Sequence, residues 1–233
     1  MSPTIRLPNS TLPDQIVIPE GADIHVVDEG AEEIDDGEDE VVSFGNRTVL
    51  VVRVLGTVES PEESVTRLEG AVFGLGNEPL TNSMRAQFRR CSFSKIDFVP
   101  PSGYTQFDNG VVNIQLGYRL RGKNVFRVLN DAITSVADLL GLDSLRRNFH
   151  HVVFCMGRGT THPVFGTEWL PFAVRNKVVL NSNRCDSLSY LMHEIGHNLG
   201  LVHSGDDITG SGYGDTTGMV SSAFSGKAFV HHP

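Results

Sequence analysis

The stretch LMHEIGHNLGLVHS, residues 191–204, holds three of the nine histidines of the chain and one glutamate. Its apolar residues recur with the period of an α-helix, and Gly200 can adopt the left-handed conformation that often ends one. In such a helix His193 and His197 lie one turn apart on a common face. The spacing therefore predicts a helix from which two imidazoles meet one metal ion from the same side.

A third histidine and a carboxylate complete this predicted site. His203 follows the turn at Gly200 by three residues, so its imidazole can return to the same ion. Three neutral nitrogen ligands with an open fourth position are typical of catalytic zinc sites. Glu194 lies about 100° around the helix from His193, beside the ion, where it can take a proton from zinc-bound water. We therefore predict Zn²⁺ bound by the three histidines, with Glu194 as general base in amide hydrolysis.

The pattern HEIGHNLGLVH, residues 193–203, resembles the long zinc-binding motif of the metzincin metallopeptidases. Together with the later YGDTTGM it is similar to the gametolysins, peptidases of green algae and their relatives that act on cell-wall glycoproteins. Three earlier segments are similar in kind and order to the catalytic domain of that family: RTVLVVRV, RRCSFSKIDFVP and HVVFCMGRGT. The resemblance covers about residues 47–222.

The resemblance implies a zinc-dependent endopeptidase that cleaves proteins or glycoproteins, possibly of a cell wall. It assigns the zinc ligands to His193, His197 and His203, and it makes Met219 the residue of a tight turn beneath them. It also implies secretion, although no signal peptide is visible at the start of the chain. We expect a monomer.

An alternative function is a catalytically weak or inactive binding module that zinc stabilises, a truncated metzincin. Ser221 occupies the position where some metzincins have a tyrosine, and fourteen residues follow Met219 where the family continues with a C-terminal helix. Stoichiometric zinc without turnover would favour this alternative. A surface helix with unrelated histidines is the simplest further interpretation of residues 191–204.

The negative charge is concentrated at the start of the chain. Residues 1–40 contain twelve acidic residues and one basic residue, whereas the net charge of the whole chain is −9. Such acidic runs are usually solvated. We predict an acidic, disordered leader or pro-segment remnant over residues 1–45, a catalytic domain over 46–225 and a disordered tail over 226–233. No basic cluster with interleaved aromatic residues suggests nucleic acid binding, and no segment is long enough for a membrane span.

The order of predicted elements gives the fold class. Strands are predicted at 47–56, 95–100, 111–118, 151–157 and within 169–183. One helix is predicted to begin after Ser60 as N-cap, with Pro61 as its first residue, and a second to cover residues 81–91 with Cys91 facing inward. A third helix is predicted to end at Gly141, and a fourth to run from Asp186 or Ser187 to Gly200. This order predicts an α/β (α+β) domain, with a twisted, mostly parallel sheet, two backing helices and an active-site helix. The three cysteines, Cys91, Cys155 and Cys185, fit either one disulfide plus a thiol or three buried thiols.

Overall fold

The computed structural model describes residues 44–76, 82–107, 109–162, 166 and 169–203. The elements, in chain order, are β1 (Gly45–Leu55), α1 (Val65–Phe73), α2 (Met84–Cys91), β2 (Ile96–Val99), β3 (Val111–Gln115), α3 (Val125–Leu140), α4 (Leu145–Asn148), β4 (His151–Met156), β5 (Phe172–Val174), β6 (Lys177–Leu180) and α5 (Leu188–Asn198). Residues 1–43 of the predicted leader, the whole predicted tail and Met219 lie outside the described residues, so the three domain boundaries stay predictions.

The strands form one six-stranded sheet in the order β2-β1-β4-β6-β5, and β3 also pairs with β1. β1 is long enough to pair with β2 through residues 45–48 and with β3 through residues 51–55. All pairs are parallel except β5 with β6, which form an antiparallel hairpin. β5 is therefore the strand at one edge. The predicted α/β class with a mostly parallel sheet is confirmed.

Successive side chains of each strand point to opposite faces of the sheet, and both faces are buried. We call one side the α3 face, because α3 covers it; its side chains include Leu50, Val52, Phe154 and Val179. We call the other side the α5 face, because α5 covers it together with α1 and α2; its side chains include Val49, Val51, Val153, Cys155 and Val178. The long α3 and the short α4 thus cover one face, and α1, α2 and α5 cover the other.

Two predicted details of the helices are wrong. Helix α1 begins after Ser64, whose side chain accepts a hydrogen bond from the backbone N–H of Arg67, so Ser60 is not its cap. The intervening Glu63 is buried against the sheet instead of lying in the first turn of a helix. In α2, Met84 and Phe88 are buried as predicted, but Cys91 is exposed because it ends the helix.

Cys155 and Cys185 form a disulfide, and Cys91 is a free thiol, which selects the first of the two predicted arrangements. Cys155 lies on the α5 face of β4, and Cys185 lies just before α5. The bridge therefore ties the start of the histidine-bearing helix to the centre of the sheet. Among the described residues, no helix is both long and apolar enough to cross a membrane.

Candidate metal centre

Helix α5 is held against the sheet by its apolar side chains. Leu191, Met192 and Ile195 are almost fully buried in the α5 face. The segment before the helix is fixed by the Cys185 disulfide and by an ion pair between Asp186 and Arg67 of α1. Ser187 is the N-cap residue by position, although its side chain makes no capping hydrogen bond. This packing fixes the direction in which the other side chains of α5 point.

The helix ends in a turn that requires glycine. Gly200 has a φ of 82°, in the left-handed region. Its N–H donates to the carbonyl of His197, and the N–H of Leu201 donates to the carbonyl of Gly196, at 2.9 and 3.0 Å. This pair of bonds is the Schellman motif, which reverses the chain at a helix end without leaving carbonyls unpaired. The reversal brings His203 back beside the helix.

The three predicted histidines are brought together. The Nε2 atom of His197 lies 3.1 Å from Nε2 of His193 and 3.0 Å from Nε2 of His203. One ligand atom from each of the three residues lies within 4.8 Å of the other two. His193 is buried, and the other two are half-buried, so the cluster opens to solvent on one side. Burial and then the neighbouring His197 lower the pKa of His203, which favours its neutral form.

The turn also orients His197. Its Nδ1 lies 2.8 Å from the carbonyl oxygen of Leu201. Because a carbonyl can only accept, Nδ1 carries the proton and Nε2 presents a lone pair to the cluster. A backbone carbonyl that fixes a histidine in this way is common behind metal ligands. The sequence analysis missed this contact, since any residue at position 201 supplies the same carbonyl.

The donor set fits a zinc ion. Nitrogens bound to one tetrahedral zinc at 2.0–2.1 Å are roughly 3.3–3.4 Å apart. The two Nε2 separations in the cluster, 3.1 and 3.0 Å, are close to this value. Lone pairs facing one another at such distances repel, and a shared cation removes that repulsion. Three imidazoles with one open side match catalytic zinc sites better than closed structural ones.

Glu194 lies beside this cluster on the same helix and is only 4% exposed. Burial raises the pKa of its carboxyl group to about 7. A carboxylate of this kind can exchange protons with a reacting group near neutral pH. The helical spacing predicts a place for it next to the nitrogens, and Glu194 is not among the residues whose ligand atoms converge.

Among the described residues, the other candidate groups do not form a second metal centre of this kind. Glu63, Cys155 and Cys185 also converge within 4.8 Å, but the two sulfurs are joined in the disulfide and offer no thiolate. His150 has its Nδ1 2.8 Å from the hydroxyl of Thr48, and His151 is buried in the α5 face. Neither histidine belongs to the converging cluster.

Comparison with known proteins gives the family. The family model described as gametolysin peptidase M11 matches residues 60–229, most of the chain. No curated protein matches it. Among solved structures it is similar to archaemetzincin from Methanopyrus kandleri, with 14% identity, a TM-score of 0.35 and coverage of 69% of this chain and 77% of that one. The assignment therefore rests on the sequence match, which confirms the resemblance seen in residues 193–203 and the later YGDTTGM. The chain belongs to the gametolysin M11 family of metallopeptidases.

Proposed function

We propose that this chain is a zinc-dependent endopeptidase, with zinc held by His193, His197 and His203. The observation that carries the proposal is the convergence of three Nε2 atoms on one point beside a buried carboxylate. Zinc at such a site acts as a Lewis acid on a carbonyl and lowers the pKa of water to about 7. Met219, which lies outside the described residues, is proposed as the turn residue beneath the histidines.

Glu194 is the proposed general base. It follows His193 directly on α5, and its side chain is buried. From there it can accept a proton from the attacking water and later donate that proton to the leaving amine. Burial in a mostly apolar surrounding removes competing hydrogen bonds with bulk water and holds the carboxylate in place.

The free edge of β5 is the proposed position of the peptide substrate. β5 pairs with β6 on one side, and no strand among the described residues pairs with its other side. Helix α5 packs beneath β5 and β6, so this edge and the histidine cluster belong to neighbouring elements. An extended peptide can add to such an edge through main-chain hydrogen bonds. The proposed substrates follow from the family: proteins or glycoproteins, including those of a cell wall, cleaved outside the cell.

The test combines metal analysis with a protease assay on the full chain. We expect about one zinc per chain, hydrolysis of a casein-type substrate, loss of activity with a chelator and recovery on adding zinc. Glu194→Gln should keep its zinc and lower kcat by on the order of 10³-fold or more, because the proton acceptor is lost. His197→Ala should lose zinc affinity as well. His162→Ala, at a histidine outside the cluster, is the matched control and should keep both properties.

The outcomes separate the two functions. Zinc bound by the three histidines together with activity that needs Glu194 supports the endopeptidase. Stoichiometric zinc with no turnover of any protein substrate selects the binding module. Activity that survives both chelation and Glu194→Gln would refute the proposed mechanism.

A further inference from the structure

A group of basic side chains lies at one end of the edge strand β5. Arg175 is in the two-residue turn between β5 and β6, and Lys177 opens β6 directly opposite Val174. Arg146, from the short helix α4, is close enough to Lys177 to act on it electrostatically. We call Arg146, Arg175 and Lys177 the basic corner. It lies where an extended peptide added to β5 would pass the turn.

The register of the hairpin fixes which way these groups face. Val179 belongs to the α3 face, so its partner Phe172 points to that side, and so do Val174 and Lys177. Phe172 contacts Phe126 of α3, with ring centroids 5.3 Å apart. Val174 and Phe126 are 42% and 45% exposed. The α3 side of the β5 edge is therefore an apolar shelf that ends at the basic corner.

The backbone of the turn has an unusual residue at its tip. Arg175 has a φ of 54°, in the left-handed region where glycine is favoured. A non-glycine residue in this region costs of order 1 kcal/mol or more unless the surroundings compensate. The side chain is exposed, so burial does not compensate for this cost. A cation held at the tip despite that cost suggests a role for the charge.

Arg175 and Lys177 place two basic side chains at this corner. Burial lowers the pKa of Lys177, and the neighbouring Arg175 and Arg146 lower that pKa further. Within the described part of the chain, neither Arg175 nor Lys177 takes part in an ion pair. The ammonium group of Lys177 donates to the side-chain oxygen of Asn176, at 3.4 Å. An anionic side chain placed here would replace repulsion among cations with attraction.

We propose that the basic corner selects peptide substrates carrying an acidic side chain at the position that lies beside the β5–β6 turn. The inference rests on the proposed function and deepens it, because it names a feature of the substrate. Side chains of an added strand alternate between the faces, and those on the α3 side follow the shelf from Phe172 to Val174. The next side chain in that direction reaches Arg175 and Lys177. In antiparallel addition, this position lies on the amino-terminal side of the peptide.

The test uses quenched fluorescent peptides built on a neutral sequence that the zinc-loaded full chain cleaves. Asp, Asn or Lys is placed at each position in turn on both sides of the cut, and kcat/KM is measured. At one position, we expect kcat/KM to be roughly five- to tenfold higher for the Asp peptide than for the Lys peptide. An exposed ion pair changes affinity by about two- to fivefold, and the lysine is also repelled. The preference should shrink at high salt.

Three variants give the inference its controls. Arg175→Gly removes the charge at a backbone position that glycine tolerates, and it should reduce the Asp/Lys ratio toward one while thermal stability is kept or raised. Arg175→Glu should invert the ratio. Lys95→Glu makes the same charge change on an exposed residue just before β2, at the opposite edge of the sheet, and should leave the ratio unchanged.

The outcomes distinguish this inference from the proposed function. If the wild type cleaves none of the peptides and no protein, the proposed function fails. If cleavage depends on zinc and Glu194 but kcat/KM is the same for Asp and Lys at every position, only the basic corner is refuted. The same holds if Lys95→Glu changes the ratio as much as Arg175→Glu does, because the effect would then come from net charge.

Discussion

The two faces of the sheet are built from different kinds of residue. The α3 face is filled with aliphatic and aromatic side chains, and its helix has a left-handed glycine cap at Gly141 and an Asn124 cap at its start. The α5 face carries all five buried ionisable groups of the described residues as well as the disulfide. These groups are Arg47, Glu63, His151, His193 and Glu194.

This difference shows how the fold can hold buried ionisable groups on one face of the sheet. Burying polar groups costs free energy unless they find hydrogen-bonding or charged partners. A face that holds such groups therefore contributes less stabilising free energy per unit of buried area than an apolar face does. On the α5 face, links between particular residues offset that cost. The Cys155–Cys185 bridge joins the sheet to the start of α5, and the Arg67–Asp186 pair joins α1 to the same segment. On the α3 face the Tyr118 hydroxyl donates to the carboxylate of Asp131 in α3, and among the described residues no disulfide joins that face to a helix.

The largest expected effect comes from removing one apolar side chain from each face. Phe154 on the α3 face and Leu191 on the α5 face are both fully buried. Phe154→Ala should lower the free energy of unfolding by about 4 kcal/mol, and Leu191→Ala by about 3 kcal/mol. Zinc affinity should fall only in Leu191→Ala, because α5 carries the histidines. Urea unfolding and zinc competition measure the two effects, and an equal loss of zinc affinity in both variants would remove the distinction between the faces.

Removing the disulfide tests the linking role directly. The bridge closes a loop with a sequence separation of 30 residues. Replacing Cys155 and Cys185 together by alanine should lower stability by about 3–4 kcal/mol, through the larger entropy of the unfolded chain. Cys91→Ala, at an exposed thiol, is the matched control and should change stability by less than about 0.5 kcal/mol. A double variant as stable as the control would show that packing alone holds the α5 face.

Much of the fold could be predicted because local patterns and tertiary structure agree. The β-branched run of β1 and the periodic helix that ends at Gly141 are both present where the sequence places them. The start of α1 could not be predicted. Ser60 and Glu63 match a capping pattern, but burial of Glu63 beside Cys155 and the alternative cap at Ser64 prevail. That choice depends on residues distant in sequence.

The candidate site also has features that local sequence predicts and features that depend on residues distant in sequence. The spacing of His193, His197 and Gly200 is local, so a helix and its terminal turn are enough to anticipate where the imidazoles point. The contact of His197 with the Leu201 carbonyl, the pairing of Cys155 with Cys185 and the position of Arg175 beside a free edge depend on tertiary structure. Single-sequence patterns carry no signal for these contacts.

A smaller expected effect is a difference between the two faces in how the free energy of unfolding depends on pH. Burial, and then the neighbouring His150 and Arg47, lower the pKa of His151 to about 3. The unfolded chain binds a proton near pH 6.5, whereas the folded chain does not until about pH 3, so stability should fall as the pH drops between these values. The slope from this group is at most about 1.4 kcal/mol per pH unit. His151→Phe, whose ring can pack against Phe98, should flatten the curve measured by urea unfolding from pH 7.5 to 5.

Parallel stability curves for wild type and His151→Phe would contradict this prediction. A matched comparison is available on the α3 face, where the core has no buried histidine among the described residues. Phe154→Leu should therefore shift the whole curve by a constant amount without changing its slope. The pH dependence would then belong to the α5 face alone.

The smallest expected effect concerns the charge link between α1 and the start of α5. The Arg67 side chain is 61% exposed, so its pair with Asp186 should couple by about 0.2–1 kcal/mol in a double-mutant cycle with alanine, and less at high salt. The cycle is needed because Asp186 also raises the pKa of Glu63, which a single substitution would change. Arg85 and Asp97, a less exposed two-bond pair between α2 and β2, should couple more strongly. If the Arg67 pair instead coupled by more than the disulfide contributes, the α5 face would be held by charge rather than by its covalent bridge.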